Sequence, residues 1–154
     1  MNKARSKAPS AIELLKKDHD YVRQAYRRFE KMNHADRAAL GALVSEVCAL
    51  LEVHAALEEE IFFPAVREAL DEEDLMHEAE IEHEFAKTLI GRLEAMKPAD
   101  ARYAPTFTVL CEYFIHHAKE EETQIFPKAQ RRYAGMRELG RKLIERQTAL
   151  EERP

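Results

Sequence analysis

The sequence predicts an all-α protein, an antiparallel up-down-up-down four-helix bundle with a short additional C-terminal helix, on three observations. The 154-residue chain holds only 4 glycines and 6 prolines, with 45% apolar and 34% charged residues, the composition of one helical domain large enough for its own core. Apolar residues recur at steps of three and four over four long stretches, the period of helices with one buried face. The second and fourth stretches share one pattern, Cys-x5-His-x3-Glu-x5-Pro: Cys48, His54, Glu58 and Pro64 are matched by Cys111, His117, Glu121 and Pro127, and Phe63 by Phe126. Short connections between such stretches favour antiparallel neighbours.

Residues 1–9 are polar and read as a flexible tail. Ser10 with Glu13 forms a capping box, after which Ile12, Leu15, His19, Val22, Tyr26 and Phe29 share one face. Lys31 to Ala35 lacks periodicity and is a connection, with Asp36 as the N-cap of the second helix. That helix carries Leu40, Leu43, Val44, Val47, Leu51, His54, Glu58, Ile61, Phe62 and Ala65 on its stripe. Pro64 either ends it near Phe63 or kinks it on the way to Leu70. The acidic run Asp71 to Asp74 is the next connection and the first turn of a third helix, predicted over 74–96 with Met76, Ala79, His83, Ala86, Ile90 and Leu93 inward. Lys97 and Pro98 stop that helix. After a linker over 99–104, Pro105 sits in the first turn of the fourth helix, whose inner stripe is Phe107, Leu110, Phe114, His117, Glu121 and Ile125. Gly135 closes the bundle, which spans 10–134. Residues 135–154 carry the weaker stripe Met136, Leu139, Leu143, Gln147 and Leu150, a short helix laid on the bundle, a dimer contact or a frayed tail.

His54 and Glu58 stand four residues apart, about 40° and about 6 Å on a helix, so one metal reaches both. A lone histidine precedes each such pair, His19 by 35 residues and His83 by 34. The four histidines and two glutamates therefore come from four helices, and each falls on an apolar stripe. An uncompensated carboxylate in a core is costly, and coordination to a cation removes the cost. Nitrogen and oxygen donors without thiolate suit a first-row transition metal better than calcium or structural zinc, and six ligands suit a dinuclear centre. Glu80, three residues before His83, is a further ligand or a residue that holds one in place. Glu59, Glu60, Glu120 and Glu122 are rotated off the seam, and His77 and His116 point elsewhere. Leu51, Phe62, Phe114 and Ile125 are candidates for a dry pocket over the metals. Cys48 and Cys111 face away from the ligands and read as buried free thiols.

The formal charge of -5 and the absence of an uncompensated basic run argue against nucleic acid. No window approaches 18 apolar residues without charge, and no apolar stretch follows the basic N-terminal residues, so no membrane span is expected and the protein reads as soluble and cytoplasmic. No residue stands out as a substrate-directed acid, base or nucleophile, which argues against a dedicated enzyme.

The order His19, His54 with Glu58, His83, His117 with Glu121, each Glu followed by Phe-Pro, resembles the hemerythrin-like, or HHE cation-binding, domains over about residues 10–134. The resemblance implies a four-helix bundle around two Fe ions, bridged by the two carboxylates and an oxo or hydroxo group. It implies binding or sensing of O2 or a related diatomic such as NO, by a monomer or homodimer. A di-iron enzyme on the same scaffold (ferroxidase, peroxidase or NO reductase), or iron storage, is the alternative. The oxygen carriers of that family have a further histidine four residues before the one matched by His83. Here that position is Ala79, which counts against efficient reversible O2 carriage, and Glu80 is the residue expected to fill the vacancy.

Overall fold

The computed structural model describes residues 8–152, so the first seven residues of the predicted tail lie outside the described residues. Helix α1 spans Ala11–Lys31 and begins at the capping box. The Glu13 amide donates to Ser10 Oγ at 3.2 Å and the Ser10 amide to the Glu13 carboxylate at 3.4 Å, which satisfies two amides that a helix start leaves without partners. Helix α2, Arg37–Leu57, starts at Asp36, whose Oδ1 accepts from the Ala39 amide at 3.2 Å.

The rod does not stop at Pro64. It passes through one π turn, Glu58–Phe62, into α3, Phe63–Leu70. Helix α4 covers Glu73–Ala95 and α5 covers Tyr103–Glu120; a second π turn, Glu121–Ile125, leads α5 into α6, Phe126–Arg132. Both π turns have the same cause. A proline inside a helix has no N–H for the carbonyl four residues back, and its ring presses on that carbonyl. The ladder therefore shifts just before each proline instead of breaking at it: the Phe63 amide bonds the Glu58 carbonyl and the Phe126 amide bonds the Glu121 carbonyl, five residues back in each case.

Helices α1, α2, α4 and α5 form the bundle. Helix α1 packs on α2 and α5, α4 packs on α5, and α2 meets α4 over a shorter stretch. The C-terminal helix α7, Met136–Glu151, lies on α1 and α2 and buries Met136, Leu139 and Leu143 there. Its crossing depends on Gly140, where a Cβ would stand 3.0 Å from the Ser10 carbonyl carbon and 3.1 Å from the Ala11 nitrogen. The rod Arg37–Leu70 is 34 residues long and, in a window of mean hydropathy 1.7, apolar enough by composition to cross a membrane. Its apolar surface serves four neighbours, α1, α4, α6 and α7.

The two halves of the repeat meet at Asp71 and Glu72, the whole connection between α3 and α4, with Asp71 in the left-handed region at φ 52. Two apolar clusters fill the interior. One gathers Val22, Phe29, Leu40, Val47, Ile90 and Phe107, and the other Leu15, Leu57, Phe62, Val66, Met76 and Phe126. Cys48 and Cys111 are buried free thiols, and burial pushes Cys48 up to about 12.

Candidate metal centre

Between the two clusters lie six buried polar side chains. Helix periodicity brings His19 inward from α1, His54 from α2, His83 from α4 and His117 from α5, while Glu58 and Glu121 open the two π turns. All four imidazoles are at most 7% exposed. Each turns Nε2 towards a carboxylate: His19 to Glu121 Oε1 at 3.0 Å, His83 to Glu58 Oε1 at 3.0 Å, His54 to Glu58 Oε1 at 3.6 Å, and His117 to Glu121 Oε2 at 3.4 Å. The result is two overlapping groups, His19, His54, Glu58 and Glu121, and Glu58, His83, His117 and Glu121, with one potential ligand atom per residue and all such atoms within 4.8 Å of one another. Each half of the repeat contributes one pair of imidazoles, and both groups share the two carboxylates.

The opposite nitrogen of every ring is also held. Nδ1 of His54 donates to Asp18 at 2.9 Å, Nδ1 of His117 to Glu82 at 2.6 Å, Nδ1 of His83 to Glu59 at 2.8 Å, and Nδ1 of His19 to Glu122 at 2.7 Å. The pattern obeys the internal repeat. Asp18 and Glu82 each precede the lone histidine of their half and serve the other histidine of that half, whereas Glu59 and Glu122 follow the inward glutamates and reach across to the opposite half. Two cations fix the last two: Arg23 donates to Glu122 at 3.0 and 3.2 Å, and Lys87 to Glu59 at 2.7 Å. An ionised carboxylate on Nδ1 sets the tautomer and leaves the Nε2 lone pair pointing at the centre. The hydrogen bonds from His83 and then Lys87 hold Glu59 down to about 2, and the bond from His117 lowers Glu82. Glu59 and Glu122, expected off the seam, thus belong to the site.

Burial, and then Glu121 beside it, pushes Glu58 well above the usual carboxylate range. Burial opposes charge on Glu121 and His117 as well, but each stabilises the other: Glu121 is held well below its ordinary value, and His117 is raised to about 10. Burial lowers His54. Without a cation, then, burial and the neighbouring carboxylate favour the protonated form of Glu58 over a second negative charge. Among the described residues, the buried Nε2 atoms of His19, His54 and His117 and all four oxygens of Glu58 and Glu121 find no partner in hydrogen-bonding geometry, close as the rings stand to the carboxylates. Buried polar atoms are rarely left so, and these donors, imidazole nitrogen and carboxylate oxygen, fit transition-metal ions.

Glu80 is not among them. It stands about 100° around α4 from the buried Ala79, with its side chain 46% exposed, paired with His77 at 2.9 Å and Arg67 at 3.6 Å. The expectation that it joins the ligands is corrected by its place on the flank of the helix. The position of Ala79 is instead a cavity of about 40 Å³ beside His117 and Glu121. A larger cavity, about 390 Å³, opens between α2 and α4 and reaches His54 and His83, with Leu51 and Phe114 in its lining. Ile125 lines the smaller cavity beside His117 and Glu121, whereas Phe62 belongs to the apolar cluster beyond the centre. Phe114 lies edge-on to His19 and His54, with centroids 5.6 and 5.5 Å away, and Phe126 stacks on His19 at 5.8 Å. His77 and His116 are on the surface, as expected.

Comparison with known families matches residues 10–129 to the Hemerythrin HHE cation binding domain. Among solved structures, a Hemerythrin HHE cation binding domain-containing protein from Mycobacterium kansasii is similar, with a TM-score of 0.76 and 22% identity over 92% of this chain and 87% of that one. The likeness in fold supports the bundle described above. A comparison with curated protein sequences finds no match.

Proposed function

Because the chain belongs to the hemerythrin HHE cation-binding family, we propose that its six buried side chains hold two iron ions and that the protein binds or senses O2 or a related diatomic such as NO. The observation that carries this reading is the sharing of Glu58 and Glu121 by two four-residue groups, the arrangement expected of carboxylates that bridge a pair of ions. Such a pair, when bound, supplies electrons to a diatomic ligand.

The chain's own residues supply the rest. Glu58 and Glu121, both fully buried, offset positive charge at the centre. Asp18, Glu59, Glu82 and Glu122 keep the imidazoles rigid and basic. Phe114 and Phe126 cover the rings of His19 and His54 from the apolar side. The small side chain of Ala79 leaves a space of about 40 Å³ against His117 and Glu121, comparable to the roughly 30 Å³ that one water occupies in the liquid.

The test is metal analysis of the purified chain together with optical spectra before and after exposure to O2 and to NO. Two irons per chain, one for each ligand group, and a spectral response to a gas are expected. A protein that stays folded and takes up no iron would overturn the proposal. Iron uptake without a response to either gas would point to iron handling instead.

A further inference from the structure

Beyond the metal centre, the geometry points to a second ligand site: we propose that the cavity between α2 and α4 binds an amphipathic primary amine, its apolar body inside and its ammonium at Glu52 and Glu94. The cavity holds about 390 Å³. That lies within the roughly 300–1,000 Å³ typical of small-molecule sites and is about ten times the share of one water in the liquid, far more than a diatomic uses. Its inner surface is apolar, formed by Leu51, Ala55, Ala86, Ile90 and Phe114. Ala55 and Ala86 are too small to close the seam between the two helices.

Three charged residues stand at the rim, Glu52, Lys87 and Glu94. Lys87 is already engaged, with Nζ 2.7 Å from Glu59. Glu52 has Glu94 beside it, and neither makes an ion pair with a basic side chain among the described residues. Two carboxylates without a counterion at the mouth of an apolar cavity select a cationic head on an apolar body, and they disfavour the corresponding acid. At the inner end the ligand meets the edges of His54 and His83, so an occupied cavity narrows the approach to them.

The site is made of protein side chains alone and does not require the iron reading. The test is calorimetric titration of the full chain, metal-free and iron-loaded, with octylamine, octanol and octanoate, with backbone NMR on the metal-free form to locate the ligand. Saturable binding of octylamine is expected, about tenfold or more tighter than octanol, with octanoate weakest and amide shifts centred on Ala55, Ala86 and Ile90. Replacing both rim acids, Glu52→Gln with Glu94→Gln, should bring octylamine to the level of octanol, and Ala86→Leu should weaken both ligands. Equal affinity for amine and alcohol, absence of saturable binding, or NMR shifts away from the α2–α4 seam would each overturn the proposal. The NMR mapping needs no substitution, so a poorly folded variant does not obscure the outcome. Amine binding by metal-free protein separates this site from the metal centre.

Discussion

Four carboxylates outside the two ligand groups decide how the four imidazoles point. Exchanging one of them for an amide removes the charge while keeping the shape. Glu59→Gln or Glu122→Gln is therefore expected to lower metal affinity by about 10–100-fold, read by competition with a chromophoric chelator. A pH effect follows from the same contacts. Glu59 falls from its ordinary 4.5 to about 2 in the folded protein, so its contribution to stability is complete above about 4.5 and is lost as pH falls towards about 2. Glu82 and Glu122 are lowered too, and thermal melts of metal-free protein from pH 7 to pH 3 should show a steep acid loss that is shallower in Glu59→Gln. Glu58 is shifted the opposite way by burial and by Glu121. Glu58→Gln should accordingly raise the melting temperature of metal-free protein while abolishing its response to metal.

The six inward residues were legible because each sits on an apolar stripe and the two halves agree in spacing. Their four supports were not, since each lies one residue away from an inward position, about 100° off it, and acts on a ring from a neighbouring helix. A signal existed all the same: Asp18-His19-x3-Arg23 and Glu82-His83-x3-Lys87 carry acid, imidazole and base at equal intervals. Glu80 lacks any counterpart in the first half, where Lys16 stands three residues before His19. That asymmetry agrees with its place on the surface.

At the scale of elements, the caps at Ser10 and Asp36 and the short linkers followed from residue types alone. The two π turns did not, because a proline in a helical pattern signals an ending or a kink and leaves open a ladder that absorbs it upstream. Since Glu58 and Glu121 open those turns, replacing the proline acts on the ligand. Pro127→Ala is expected to preserve helix content, increase hydrogen-exchange protection near residue 127 and weaken metal binding. The helix crossings separate two glycines of the same residue type. Gly140→Ala forces α7 away from Ser10 and Ala11 and destabilises the fold. Gly91→Ala, exposed in α4 with nothing within 4 Å of the added carbon, should stabilise it by about 0.5–1 kcal/mol. Denaturant melts of the two variants should move in opposite directions.

The whole molecule is a polar layer held between two apolar clusters. Its like charges weaken the empty protein, and only the folded chain assembles the ligands, so metal binding and folding are coupled. At free metal about 100 times Kd, the gain is about 2.7 kcal/mol, equivalent to about 5–10 °C in a chain of this size; a strong chelator should remove it. The bundle and its internal symmetry were visible in the spacing of apolar residues and ligands. The seat of α7 was not, because its stripe is short and the groove that receives it exists only once α1 and α2 have packed. The symmetry also bears on the tight link at Asp71 and Glu72. Each half offers a complete hairpin, and two copies of the chain can trade hairpins across this two-residue hinge and rebuild two intact centres, once the packing of α1 on α5 and of α7 on α1 and α2 has opened. A branched residue resists the left-handed backbone at position 71, so Asp71→Val should drive the protein into an exchanged dimer, seen as a concentration-dependent second peak in gel filtration that still binds metal.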